Sequence, residues 1–210
     1  MIAYLNLSGG VDSTYYAWRW LKENPKNRIL LHHCLYMKAR LKEEGEACKR
    51  IIEYFRTHGL GNYKYVTTTL DKGTLSGIVY DVEVLSGLTG IILKLYPKIT
   101  NVLLSYSREE TSDLNLHIKM GRPMSEFNPK HRYSIANKVV EVLSKRQFNY
   151  VFYKDKDGGL ISKAQMMAEM PQELFEMTWY CRSPRQGKPC GSCHTCKKVA
   201  AGKKKNYERI

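Results

Sequence analysis

A short stretch near the start of the chain combines small, hydroxylated and acidic residues in an order that suits phosphate binding. It consists of Ser8, Gly9, Gly10, Val11, Asp12, Ser13 and Thr14. The stretch follows an apolar run at residues 2–7 and precedes a segment with helical spacing. Glycine lets the backbone approach an anion closely, and the N–H groups and positive dipole of a helix start then face that anion. A carboxylate beside phosphates needs a cationic partner, so Asp12 predicts a bound Mg²⁺.

A second group of residues, near the end of the chain, has the spacing of a metal knuckle. The group consists of Cys181, Cys190, Cys193 and Cys196, separated by eight, two and two residues. Four thiolates satisfy tetrahedral Zn²⁺ and leave no open coordination position, so the predicted Zn²⁺ would be structural. The same ligands suit an iron–sulfur cluster, and a free redox pair is a third interpretation. Cys34 and Cys48 stand alone in apolar surroundings, where small buried residues are expected.

The composition indicates a globular and strongly basic protein. Its 210 residues are enough for one α/β domain with a small appendage. Lys and Arg number 34 against 20 acidic residues, a formal charge of +14, which indicates either nucleic acid or small anionic ligands such as ATP. No segment approaches the ~18 apolar residues of a membrane span, and the N-terminus lacks a signal-peptide pattern. We therefore expect a cytoplasmic protein without a membrane partner; the oligomeric state is open, with a homodimer as one expectation.

The alternation of strand-like and helix-like segments predicts an α/β fold with a doubly wound, mostly parallel sheet. Strands are predicted at residues 2–7, 28–34, 63–70, 101–106 and 150–153, and helices at 13–23, 41–58, 81–96, 134–146 and 163–170. We assign a phosphate-binding α/β domain to residues 1–160 and a small helical, zinc-binding region to residues 161–210, the two forming one compact unit. The lysine-rich end, which includes Lys197 and Lys198, is expected to be a solvated tail.

The regular pattern is interrupted between residues 107 and 132, where charged residues mix with Asn, Gly and Pro. A loop of this length in a compact domain is usually functional or mobile. The segment is therefore interpreted as a substrate loop or lid, with a disordered surface insertion as the alternative. At the predicted end of the second strand, His32 and His33 lie near the nucleotide position of an open α/β sheet. They can contact adenine or pack within the strand.

The string from Ser8 to Ser13 resembles the pyrophosphate loop of the N-type ATP pyrophosphatases, the PP-loop superfamily. A Walker A loop is excluded, because it requires Gly-Lys-Ser/Thr after four intervening residues. For two glycines alone an ordinary strand-to-helix turn would be the better interpretation, but the complete string favours the resemblance. It implies an adenine nucleotide alpha hydrolase-like fold, ATP and Mg²⁺ as cofactors, and adenylation of a carboxylate or a nucleobase carbonyl with release of pyrophosphate.

Taken together, the two ends of the chain resemble the 7-cyano-7-deazaguanine synthase family. The matching stretches are Ser8 to Ser13, Ser162-Lys163-Ala164, Thr178-Trp179-Tyr180-Cys181 and residues 189–196, with a weaker match at Tyr36, Arg40 and Glu44. The middle of the chain departs from the family. Residues 81–84 replace its Pro-Gly-Arg-Asn segment, and residues 105–113 replace its substrate motif.

The resemblance implies an ATP-dependent synthase that converts 7-carboxy-7-deazaguanine and ammonia to 7-cyano-7-deazaguanine (preQ0) through carboxylate adenylation. The loop would hold the pyrophosphate, the four C-terminal cysteines would hold Zn²⁺, and the implied catalytic residues are Asp12, Ser13 and Lys163. Lys163 and Arg108 are candidates for phosphate or carboxylate contacts, with ordinary surface residues as the alternative. Because the middle departs, two other interpretations stay open. One is an enzyme that adenylates another acceptor (a tRNA, a DNA base or a protein); the other is a non-catalytic zinc-bearing homologue.

Overall fold

Five parallel strands form a sheet in the order β3-β2-β1-β4-β5. The computed structural model describes residues 2–35, 41–70, 81–111 and 129–207. The strands are β1 (Ala3–Asn6), β2 (Ile29–Leu35), β3 (Tyr63–Thr69), β4 (Asn101–Leu103) and β5 (Asn149–Val151). The helices are α1 (Val11–Glu23), α2 (Leu41–Thr57), α3 (Asp81–Leu95), α4 (Arg108–Thr111), α5 (Pro129–Ser144), α6 (Lys163–Glu169), α7 (Gln172–Glu176) and α8 (His194–Tyr207). The predicted α/β fold with a parallel sheet is confirmed.

The direction of strand addition reverses at β1. The chain moves outward from β1 to β2 and β3, and then returns to the other side of β1 with β4. Leu5 of β1 accordingly pairs with Leu31 of β2 on one side and Leu103 of β4 on the other. Ligands of open parallel sheets bind outside the carboxyl ends of the strands at such a reversal. The stretch from Ser8 to Thr14 follows β1 and therefore lies at this position.

Successive side chains of each central strand point to opposite faces of the sheet and pack in two separate hydrophobic cores. Leu5 packs on the face covered by α1 and α2, and the same core contains Met166 of α6 and Val199 of α8. Tyr4 and Leu30 belong to the opposite core, which α3 and α5 cover. The C-terminal helices thus share a core with the helix that follows the phosphate-loop candidate.

The end of the chain differs from the expected solvated tail. It forms α8, in which Cys196 and Val199 are buried three residues apart on one helix face. Lys198 donates a hydrogen bond from Nζ to the backbone carbonyl of Glu109 at 3.1 Å, so its ammonium group has a protein contact. The helix was not predicted because its two buried positions stand in a lysine-rich sequence, which favoured a solvated segment. Helix α7 was also not predicted, because Pro171 marked the end of the preceding helix.

Some of the predicted features fall outside the described residues. These are residues 112–128 of the predicted substrate loop, together with Tyr36 and Arg40. The described ends of the loop segment are helical, in α4 and at the start of α5. Within the described ranges, no helix is long and apolar enough to cross a membrane.

Candidate active site

The loop between β1 and α1 has a backbone geometry that favours glycine. Gly9 has a φ of +76°, in the left-handed region that other residues rarely adopt. A Cβ atom at Gly9 would lie 3.1 Å from both Ala47 Cβ and the Glu44 carbonyl oxygen of α2. Gly10, the N-cap of α1, makes no side-chain cap hydrogen bond. The first turn of α1 therefore presents backbone N–H groups that no capping side chain occupies.

Hydrogen bonds join the two serines of this loop. Ser8 Oγ lies 3.0 Å from Ser13 Oγ, and the Ser8 N–H donates to Ser13 Oγ at 3.1 Å. The Gly10 N–H donates to Ser8 Oγ at 3.3 Å. Thr14 is fully buried in α1, and its hydroxyl has no hydrogen-bond partner among the described residues. The fold thus clusters the serine hydroxyls and places that of Thr14 inside the protein.

Asp12 and Lys163 form an ion pair between the first turns of two helices. Lys163 Nζ lies 2.7 Å from Asp12 Oδ2, across 151 residues of sequence, and the side chains are 10% and 15% exposed respectively. The second carboxylate oxygen, Asp12 Oδ1, is buried and has no hydrogen-bond partner in the part of the chain that is described. A buried carboxylate oxygen with open lone pairs suits a hard cation with oxygen ligands. Asp12 therefore fits the predicted role of holding Mg²⁺.

Two hydrogen bonds hold the first turn of α6, which carries Lys163. Ser162 Oγ accepts a hydrogen bond from the Gln165 N–H at 3.1 Å. Glu109 Oε2 accepts one from the Lys163 N–H at 2.9 Å. The two acceptors satisfy N–H groups that have no partner within the helix at its start. They also fix the direction in which the Lys163 side chain projects from the helix.

Arg108 contacts the turn between β5 and α6. Its guanidinium forms an ion pair with Asp155, and Nε donates to the Leu160 carbonyl at 3.2 Å. The Arg108 side chain is 55% exposed. These contacts attach α4 to the turn between Asp155 and Leu160, and a phosphate or carboxylate contact of Arg108 stays a prediction.

A cavity of about 340 Å³ opens at the carboxyl end of the sheet. This volume lies within the range of small-molecule sites. The residues that line it include Ser8, Gly10, Asp12, Ser13, His33, Lys163, Trp179, Tyr180, Arg182 and Thr195. The loop, the end of β2, the start of α6 and the cysteine region therefore all border one cavity.

The two histidines of β2 are buried and differ in their hydrogen bonding. His32 contacts Tyr4, Asn6 and Thr68 through its two ring nitrogens at 2.8–3.2 Å. Burial, with a smaller contribution from the charge of His33, lowers the pKa of His32 to about 4. Burial also lowers the pKa of His33.

The contact of His33 with the backbone defines its tautomer. Nδ1 lies 2.8 Å from the Leu7 carbonyl, and a carbonyl can only accept, so Nδ1 carries the proton. Nε2 is buried without a hydrogen-bond partner in the described ranges. His33 thus packs within the strand and keeps one acceptor open at the cavity, and contact with adenine stays a prediction.

The four C-terminal cysteines converge on one point. Their sulfur atoms all lie within 4.8 Å of one another. The Cys190 N–H donates to Cys181 Sγ at 3.2 Å, and the Cys193 N–H donates to Cys190 Sγ at 3.3 Å. Hydrogen bonds from Ser192 and from backbone N–H groups lower the pKa of Cys190. The group could hold a metal: it fits tetrahedral Zn²⁺, and the same donors fit an iron–sulfur cluster.

Two residues beside the site were not predicted from the sequence. Glu109 reaches the Lys163 backbone only through the tertiary fold, so no local pattern could indicate it. Arg182 borders the cavity. Its position directly after Cys181 could have indicated this place, because the backbone next to a metal ligand is held in a fixed position.

Comparison with known proteins establishes the fold class. No protein-family model matches the chain, and no curated protein matches it. Among solved structures, the chain is similar to the U34-tRNA thiolase NcsA from Methanococcus maripaludis with its 4Fe-4S cluster. The TM-score is 0.51 at 12% identity, over 100% of this chain and 67% of that chain. At this identity the similarity is one of fold alone, and the chain shares the α/β fold of that structure.

Proposed function

We propose that the chain is an ATP-dependent synthase that converts 7-carboxy-7-deazaguanine and ammonia to 7-cyano-7-deazaguanine. The observation that carries the proposal is the Asp12–Lys163 pair, with Asp12 Oδ1 left open beside an uncapped helix start. A triphosphate would bring negative charge to these N–H groups, and a divalent cation held by Asp12 would neutralise part of that charge. The position of this arrangement supports the proposal, because it follows β1, where the strand order reverses.

The chemistry requires that both carboxyl oxygens become leaving groups. Attack of the carboxylate on the α-phosphorus of ATP forms an acyl adenylate and releases pyrophosphate. Ammonia displaces AMP to give the amide. The amide oxygen then attacks the α-phosphorus of a second ATP and releases pyrophosphate, and loss of both amide N–H protons and of AMP gives the nitrile. Each nitrile therefore accounts for two AMP and two pyrophosphate, and each AMP carries one former carboxyl oxygen.

The proposed roles of the loop residues follow from their positions. The first-turn N–H groups of α1 and the hydroxyls of Ser8 and Ser13 would bind the pyrophosphate portion of ATP. Asp12 would hold Mg²⁺, which neutralises charge on the phosphates. Lys163 would donate hydrogen bonds to oxygens that gain charge as pyrophosphate leaves, a contribution that is stronger in a largely buried site.

We assign the ATP site to residues 1–160 and the metal-binding region to residues 161–210. The metal would be structural Zn²⁺, since all four coordination positions are thiolates. A 4Fe-4S cluster is the alternative, and the similar tRNA thiolase holds one. Metal analysis of the purified protein separates the two, because only the cluster contributes iron, sulfide and a visible absorption band.

Product analysis with matched variants tests the proposed activity. The protein is incubated with ATP, Mg²⁺, ammonium and 7-carboxy-7-deazaguanine, and AMP and nitrile are measured by chromatography and mass spectrometry. We expect about two AMP per nitrile, and a loss of about 100-fold or more in Asp12→Asn. Asp157→Asn is the control, because Asp157 is an exposed carboxylate of a surface turn. ADP as the product, or equal rates in both variants, would contradict the proposal.

A tRNA acceptor is the second candidate. It is favoured by the similarity to a tRNA thiolase and by the formal charge of +14. In this case AMP formation would require tRNA and not the deazapurine. Binding to tRNA would also weaken steeply with salt, because phosphate contacts release counterions.

A further inference from the structure

Two separate routes of hydrogen bonds join the cysteine region to the phosphate loop. The first runs through Trp179, two residues before Cys181. The Trp179 backbone N–H donates to the Gly9 carbonyl at 2.8 Å, and its indole Nε1 donates to the Cys181 carbonyl at 3.0 Å. The segment that enters the metal knuckle is therefore bonded directly to the glycine whose left-handed conformation shapes the loop.

The second route runs through Glu109. Lys198, on the helix that carries Cys196, donates from Nζ to the Glu109 carbonyl at 3.1 Å. The Glu109 carboxylate accepts from the Lys163 N–H at 2.9 Å, and Lys163 Nζ bonds Asp12 at 2.7 Å. A shift of α8 thus acts on both partners of the buried ion pair at the ATP site.

The packing of the helices makes these routes mechanically effective. Met166 of α6 and Val199 of α8 are almost fully buried in the core that also holds α1. Close-packed interiors transmit a displacement instead of absorbing it. Metal binding supplies ordering free energy to a small knuckle such as this one, and the hydrogen bonds described above connect that knuckle to Gly9 and Lys163.

We propose that Glu109 and Trp179 are positioning residues that couple metal binding at the four cysteines to ATP binding at the loop. The inference rests on the proposed ATP function and adds to it. A metal-loaded knuckle holds the loop and Lys163 in the arrangement that binds the triphosphate. Coupling of two binding sites is reciprocal, so bound ATP also tightens metal binding by the same factor in affinity.

The experiment measures metal affinity with and without a nucleotide. Metal transfer to a chromogenic chelator is titrated for the metal-loaded protein, alone and with saturating α,β-methylene-ATP, which resists cleavage between the α- and β-phosphates. We expect the analogue to tighten metal binding about tenfold, within the usual range of coupling between sites. The reverse titration, of analogue into metal-loaded and metal-free protein, should give the same factor.

Variants of Glu109 show whether the coupling uses the proposed route. Glu109→Ala removes the acceptor for the Lys163 N–H and should reduce the coupling factor to about twofold or less. Glu109→Gln keeps an acceptor oxygen and should restore most of the factor. Glu53→Ala is the control, because Glu53 is 57% exposed on α2 and pairs only locally with Arg56.

The outcomes separate this inference from the proposed function. If the wild-type protein binds no analogue, both fail. If it binds the analogue and the metal affinity does not change, the coupling is refuted and the ATP site stands. A purely structural role of Glu109 is also recognisable: Glu109→Ala would then weaken metal binding equally with and without the analogue, which overturns the proposal. Lys198→Met, which breaks the same route from the other end, should lower the coupling factor like Glu109→Ala.

Discussion

Replacement of Gly9 by alanine tests how the loop between β1 and α1 is shaped. Alanine at a φ of +76° costs about 1–2 kcal/mol, because the left-handed conformation crowds Cβ against the backbone. The new Cβ would also lie 3.1 Å from Ala47 Cβ, 3.1 Å from the Glu44 carbonyl and 3.2 Å from Cys48 Sγ. Crowding of this kind in a packed core costs about 1–3 kcal/mol. We therefore expect Gly9→Ala to lower the free energy of unfolding by about 2–5 kcal/mol in urea titrations.

Gly59 provides the matched control. It has a similar φ of +71°, but apart from its own chain neighbours no atom of the described residues lies within 4 Å of a Cβ built there. Gly59→Ala should therefore cost only the conformational term, about 1–2 kcal/mol, and should leave affinity for α,β-methylene-ATP unchanged. Gly9→Ala should lose both stability and affinity. Equal loss of stability in the two variants would refute the claim that α2 packs tightly against the loop.

Three further predictions concern the ion pair, the buried histidine and the metal. Lys163→Met leaves the buried Asp12 carboxylate without its cation and should cost about 3–5 kcal/mol in urea unfolding. The double variant with Asp12→Asn should recover part of that loss, and no recovery would argue against the pair. Burial lowers the pKa of His32 from 6.5 to about 4, so as the pH falls the unfolded state is protonated at His32 before the folded state. The contribution of neutral His32 to the free energy of unfolding is therefore fully present above pH 6.5, and about 3 kcal/mol is lost as the pH falls toward 4. His32→Gln should flatten this dependence in urea titrations across that range, and an unchanged slope would contradict the assignment. Cys193→Ser leaves three thiolates and should reduce bound metal well below about one equivalent per chain by native mass spectrometry. Full metal content in Cys193→Ser would exclude a four-cysteine site.

Much of the fold could be predicted because its elements have local signals. The apolar run before Ser8 and the helical spacing after Ser13 define β1 and α1. The strand and helix alternation then implies a parallel sheet, since crossover helices accompany parallel strands. The convergence of Cys190, Cys193 and Cys196 follows from their spacing alone. Helix α8 escaped prediction because its two buried positions stand among lysines, whose composition indicated a solvated segment.

The arrangement of the site could be predicted only in part. Asp12 and Lys163 were each singled out, but their contact spans 151 residues and depends on how α6 packs beside α1. The role of Glu109 as an acceptor for the Lys163 N–H leaves no trace in the local sequence. Trp179 was noted through a resemblance, whereas its bond to Gly9 follows from the tertiary fold. Local patterns identify the residues that can do chemistry, and packing decides which of them meet.

An isotope-transfer measurement tests the central claim most directly. The protein is supplied with 7-carboxy-7-deazaguanine labelled with ¹⁸O in both carboxyl oxygens, together with unlabelled ATP, Mg²⁺ and ammonium. If the carboxyl oxygens leave through adenylation, the AMP formed contains ¹⁸O in its phosphate, about one label per AMP and about two labelled AMP per nitrile. Unlabelled AMP, or label recovered in water or inorganic phosphate, would contradict the proposed mechanism.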